Sequence, residues 1–247
     1  MDWDRLMEVV RRSEKTNALW YQAYTLAAKA DLCPMPAEDS LNCFVPGFFM
    51  SGTQEALDFY QGLYDEVKAK VDRKEGIIPE EKYRLIWGGG LPPWHTMDIF
   101  NYVEERGAIF VYQTTYQPFA PIELPDSLND PLLRMILMRS QPAGVRVAQE
   151  YGIKDRSNST AGFAGITSPI FFVEPFRAQG VVMSMLRSCR GTSIGQLHQK
   201  RMLEERSPVP VLILESDMCD IRDHSEAEWK RKLDIFFETM EARKVRH

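Results

Sequence analysis

The chain has 247 residues, 44% hydrophobic and 26% charged, a globular composition with length for one large domain or two small ones. A formal charge of -5 argues against a protein built on phosphate backbones, which demand a basic face, so nucleic acid is not an expected partner. No run reaches the roughly 18 apolar residues of a membrane span, and the opening MDWDRLMEVVRRSEK is charged where a secretory signal would be apolar, so the cytoplasm is the expected location.

From Asp4 to about Ala30, Leu6, Val9, Val10, Leu19 and Leu26 recur among good helix formers, which predicts helix in one or two pieces. CPMPAEDSLNCFVPG, residues 33–47, carries three prolines and a glycine and is read as a loop. A second helix is expected after Ser51 or Thr53, with Leu57, Tyr60, Tyr64 and Val67 on one face and an end before Gly76 and Pro79.

From Lys82 the rhythm changes. KYRLIWGGG reads as a buried strand ending in glycines, TMDIFNYVEERGA as a helix stopped by Gly107, and AIFVYQTTY as a second strand. Residues 129–152 are expected to be helical with an interruption at Pro142, and KDRSNSTAGFAGITSP to be a mobile loop. The last third repeats the alternation: strand GVVMSML, helix from about Ile194 to Arg206, strand VPVLILE, helix from about Ser225 to Ala242.

The expected fold is therefore α/β, a Rossmann-like open parallel sheet over residues 81–247 preceded by a helical segment, residues 1–80. Sites in such sheets form at the carboxyl ends of the strands. Three stretches occupy that edge: GGGLPPWH, LRSCRGTS and ESDMCDIRDHS. They are expected to converge on one crevice.

In the second stretch Cys189 stands between Arg187 and Arg190, just before a helix start, a setting that favours thiolate over thiol. Such a thiolate can be a nucleophile, a phosphate-cradle residue, a metal ligand or a structural cysteine. A phosphatase-type cradle wants an arginine six residues on, where Gly195 stands, and no spacing links Cys189 to His95, His198 or His224 as a base. The four cysteines, Cys33, Cys43, Cys189 and Cys219, show neither a disulfide framework nor a zinc pair.

YRLIWGGGLPPWHTMDIFNYVEERGA, GVVMSMLRSCRGTSIGQLHQKRMLEE and VPVLILESDMCDIRDHSEAEWKRKLDIFFETME, in that order, resemble the second half of the benzoyl-CoA reductase and 2-hydroxyacyl-CoA dehydratase family over about residues 50–242. The feeder segment, ALDFYQGLYDEV and PEEKYRLIWGGGLPPW, looks closest to the reductase side. The resemblance implies a subunit acting on an acyl-CoA with a paralogous partner subunit and an ATP-dependent iron–sulfur activator. It also implies a [4Fe–4S] cluster with Cys189 as a ligand. The family's other ligand cysteines lie in an upstream domain with no counterpart here, so the remaining ligands are expected from outside this chain, and a relative that has lost the cluster is the alternative. Cys43 and Cys219 are assigned packing roles.

On that reading Arg187, Ser188 and Arg190 surround the cluster, and Ser193 either joins them or caps the following helix, with Thr192 competing for the cap. Trp94 walls the substrate site and His95 is the candidate proton donor. Asp217 and Asp220 are read as ion ligands or as caps of the last helix.

Overall fold

The computed structural model describes residues 2–92, 97–119, 121–139, 169–207 and 209–244. Trp94, His95, Pro142 and nearly all of KDRSNSTAGFAGITSP lie outside the described residues.

Helix α1 runs unbroken over Trp3–Lys29, capped by the Asp2 carboxylate accepting from the Arg5 amide. Ser13, Thr16 and Thr25, polar residues on its buried face, return their hydroxyls to carbonyls four residues back, which removes the need for a break. Residues 33–47 depart from the expected loop by forming two short helices, α2 (Ala37–Asn42) and α3 (Phe44–Phe49). Pro36 stands just before the first and Pro46 in the opening turn of the second, where a missing N–H breaks no bond. Helix α4, Gln54–Asp72, starts at a Thr53 cap as expected. It packs along α1, with Trp20 stacked on Tyr60 at 5.3 Å.

Then come β1 (Tyr83–Gly89), α5 (Asp98–Glu104), β2 (Ala108–Gln113), α6 (Pro131–Met138), α7 (Ile170–Val173) and β3 (Gly180–Leu186). The chain continues with α8 (Arg190–Ser193), α9 (Gln196–Arg206), β4 (Val211–Ser216), a 3-10 turn at Ile221–Asp223 and α10 (Glu226–Lys244). The four strands form one sheet in the order β2-β1-β3-β4, all parallel, as the alternation of strands and helices predicts.

Alternate strand residues feed two cores. Ile86, Ile109, Val181, Met183 and Val211 pack with Trp20, Tyr24 and Ala27 of α1, Tyr60 and Val67 of α4, and Phe172 of α7. Leu85, Trp87, Phe110, Val182 and Leu214 pack on the other face with Phe100 of α5, Leu41 of α2, and Trp229, Leu233 and Phe236 of α10. Helices therefore cover both faces, and α1 of the expected 1–80 segment shares one core with the sheet. A bulge at Val111, where Ile86 pairs with Tyr112 after Leu85 pairs with Phe110, keeps Tyr112 in the α1-side core.

Candidate functional site

The sheet order places the change of winding direction between β1 and β3, the position where open α/β sheets form a crevice outside their carboxyl ends. The glycines of β1 fold over that point. Gly89 has φ +76° and Gly90 donates its amide to the Ser184 carbonyl at 2.8 Å. A Cβ on Gly90 would lie 2.8 Å from the Leu186 side chain, and one on Gly89 would lie 2.6 Å from Gln196 Nε2. The glycine run thus lets the corner of β1 close on the end of β3. Thr115, just past β2, donates its hydroxyl to the Gly89 carbonyl at 3.3 Å and joins the same corner.

Past the last register pair, Leu186 with Ser216, the strands β3 and β4 stay linked: the Arg187 amide donates to the Ser216 carbonyl at 2.9 Å. Ser188 hydrogen-bonds the Asp217 carboxylate, which also accepts the amides of Cys219 and Asp220 at 3.0 Å each. These donors, Ser188 first, hold the Asp217 carboxyl down at about 2. The Arg187 guanidinium bridges Asp223 at 3.2 Å and Glu215 at 3.6 Å. The loops after β3 and β4 therefore meet, and the described part of the first stretch, residues 88–92, closes on the end of β3.

Cys189 is half-buried and serves as the N-cap residue of α8 without a side-chain capping bond. Its carbonyl accepts from the amides of Thr192 and Ser193 at 3.2 and 3.1 Å and from the Thr192 hydroxyl at 3.1 Å. The Thr192 hydroxyl, then the amides of Thr192 and Gly191, hold the thiol below its ordinary value. The local turn, not the flanking arginines, carries that effect: Arg187 is engaged by two carboxylates, and Arg190 is exposed with no ion pair among the described residues.

Several expected roles change. Thr192 and Ser193 cap no helix: Gly195, with φ +89°, stands at the cap of α9, while Ser193 donates its hydroxyl to the Leu186 carbonyl. Asp217 and Asp220 do not cap the last helix. Asp217 closes its own turn, Asp220 caps the 3-10 turn through the Arg222 amide, and Ser225 accepts from the Glu228 amide at the start of α10. Cys219 is exposed and departs from its expected packing role, whereas half-buried Cys43 packs against the α1-side core and Cys33 is fully buried beside Met35. His198 is exposed on α9, and His224 packs edge-on to Trp229 at 4.9 Å.

Sequence reasoning missed Gln196. It is 1% exposed, and its Nε2 donates to both the Ser184 and Thr192 carbonyls at 2.6 Å. A glutamine opening a helix reads as surface; only the glycine before it signals an abrupt change of direction.

No group of three or more His, Cys, Asp and Glu side chains placed to hold a metal ion occurs among the described residues. An iron–sulfur cluster takes three or four thiolates, so Cys189 fits as a single ligand and the described residues do not form a complete set. Exposed apolar side chains mark the same region: Ile194 and Leu197 follow Cys189, and Ile221 follows Cys219.

A doubly covered parallel sheet with a thiol-bearing turn beside its winding reversal defines an open α/β protein with a cysteine at the edge where such sheets form their crevice. The family model described as 2-hydroxyglutaryl-CoA dehydratase, D-component, matches residues 1–240, and the chain belongs to that family. The match takes in the N-terminal helices, which extends the resemblance seen from about residue 50. The chain is 24% identical over 254 residues to a benzoyl-CoA reductase subunit of Thauera aromatica, covering 98% of this chain and 55% of that protein. It is 26% identical over 247 residues to the (R)-phenyllactyl-CoA dehydratase alpha subunit of Clostridium sporogenes, with the same 98% and 55% coverage. The chain thus spans about half the length of these curated relatives. No helix among the described residues is long and apolar enough to cross a membrane.

Proposed function

We propose that the chain is a subunit of a benzoyl-CoA reductase-type enzyme, reducing an aromatic acyl-CoA with low-potential electrons from an ATP-dependent activator. In this reading Cys189 contributes one thiolate to a [4Fe–4S] cluster, and the remaining ligands come from outside the described residues. The observation that carries it is the position of Cys189: a thiol with lowered proton affinity, at the winding reversal of the sheet, in a member of this family. When bound, the cluster would supply one-electron chemistry that no side chain offers.

The chain's own residues have defined parts. The Thr192 hydroxyl and the amides of Thr192 and Gly191 stabilise the thiolate, and Arg190 is exposed on the same turn. Ser188 and Arg187 hold the loop after β3 to the loop after β4. The apolar rim of Ile194, Leu197 and Ile221 supports a partner subunit that covers the edge and keeps water out. Trp94 and His95 remain proposed as substrate wall and proton donor.

A 2-hydroxyacyl-CoA dehydratase subunit is the second reading, favoured by the similarity to the phenyllactyl-CoA enzyme's alpha subunit. A scaffold subunit without a cluster is the third, favoured by the single ligand. The deciding experiment is anaerobic co-expression with a paralogous subunit, followed by iron and sulfide analysis and electron paramagnetic resonance of the reduced complex. We expect cluster iron that Cys189→Ala removes and Cys43→Ala leaves. Iron that never binds in any pairing selects the scaffold. Turnover of benzoyl-CoA against a 2-hydroxyacyl-CoA then separates the two enzymes.

A further inference from the structure

We infer that Gln196 is the positioning residue of the Cys189 turn, its carboxamide tying that turn to the end of β3 under the glycine corner of β1. The inference rests on the reading of Cys189 as the functional thiol.

The geometry leaves the carboxamide one orientation. Two backbone carbonyls, Ser184 and Thr192, lie 2.6 Å from the same nitrogen, and only an NH2 group can satisfy both. Oε1 meets no donor among the described residues, so the side chain is held by its nitrogen alone. The Ser184 carbonyl also takes the Gly90 amide at 2.8 Å, so one strand carbonyl gathers β1, β3 and α9. The Thr192 carbonyl belongs to the residue whose amide and hydroxyl both reach back to the Cys189 carbonyl. Gln196 therefore fixes Thr192, and Thr192 fixes Cys189.

Two glycines make this possible. Gly195, at φ +89°, turns the chain so that Gln196 is buried while Leu197 and His198 are exposed. Gly89 leaves the space that Nε2 occupies, since a Cβ there would approach it to 2.6 Å. A glutamate of the same shape would turn an oxygen toward two carbonyls, and an asparagine is one carbon too short to span both.

The test is hydrogen exchange by mass spectrometry on the full chain, comparing Gln196→Met, Gln196→Asn, Thr192→Val and, as a control for general loosening, Leu203→Ala on the same helix. In Gln196→Met the amides of residues 192–194 are expected to exchange about tenfold faster while β1 and β3 keep their protection. Gln196→Asn should fall between. Thr192→Val keeps its carbonyl and should retain the Gln196 tie, and Leu203→Ala should leave residues 192–194 protected. In the cluster-bearing complex, Gln196→Met should shift the g values of the reduced cluster without removing iron.

Unchanged protection in Gln196→Met overturns the proposal. So does loss spread evenly over the sheet, because Gln196 would then be an ordinary core residue. If iron never binds but the turn still loosens, the cluster reading fails and the role of Gln196 stands.

Discussion

At Cys189 the thiol sits below its ordinary value because a hydroxyl and two amides face it, whereas burial pushes Cys33 up to about 12 and burial, then Asp39, pushes Cys43 up to about 11. At neutral pH the thiolate populations of Cys33 and Cys43 fall to about a hundredth or less of that of an unperturbed thiol. Iodoacetamide at pH 7.5 should therefore modify Cys189 well before Cys33 and Cys43, read by peptide mapping; early labelling of Cys33 would contradict the burial assigned to it. Asp217 shows the opposite sign. Its carboxyl is held near 2, below the ordinary 3.8, so its contribution to stability is present above about pH 4 and fades as the pH falls toward 2. Asp217→Asn should lower the melting temperature at pH 7, and the gap to wild type should close toward pH 2. An unchanged gap across that range would mean the three donors do not prefer the ionised form. Cys189 was legible because an apolar strand pattern ends beside it, while Gln196 was not, since its burial depends on a left-handed turn that residue type alone does not announce.

The helices and strands were read best where the pattern was long. α4, its Thr53 cap and all four strands follow the periodicity closely, because each buries a face that the sequence must mark. Residues 33–47 were misread because proline was taken as a breaker, yet at a helix start it costs nothing. One helix contact makes stability depend on pH. Glu104 on α5 is pushed up to about 7, mainly by burial and further by Glu38 of α2, whose Oε2 is buried with no hydrogen-bond partner. The contribution of the protonated Glu104 carboxyl is complete below about pH 4.5 and is lost as the pH rises through 7. Thermal melts of wild type should therefore decline between pH 5 and 8, and Glu104→Gln should flatten that decline; parallel curves would sink the assignment. At the start of β1, Arg84 and Glu81 form a buried ion pair, with Arg84 also donating to the Ala28 and Phe176 carbonyls. Glu81→Gln leaves that guanidinium without its counter-charge and should cost about 3 kcal/mol in urea unfolding. A loss under 1 kcal/mol would show that the carbonyls suffice.

For the molecule as a whole, the Cys189 thiol lies outside both hydrophobic clusters, so function and stability can be separated. Cys189→Ala should change unfolding free energy by no more than about 0.5 kcal/mol. A larger loss would make the cysteine structural. The architecture was legible from alternation, but the strand order was not, since periodicity says which face a strand buries and nothing about its neighbour. The shared core between α1 and the sheet has a kinetic consequence. Trp20, Tyr24 and Ala27 share their cluster with Tyr60 and Val67 of α4, but also with Val181, Met183 and Val211, which lie more than 150 residues later in the chain. During synthesis α1 can pack along α4 soon after both have emerged, but the shared core is complete only when β3 and β4 follow. Contacts of such sequence separation make for slow folding, and the interval in which the α1–α4 pair waits for the later strands is when a chaperone would be needed most.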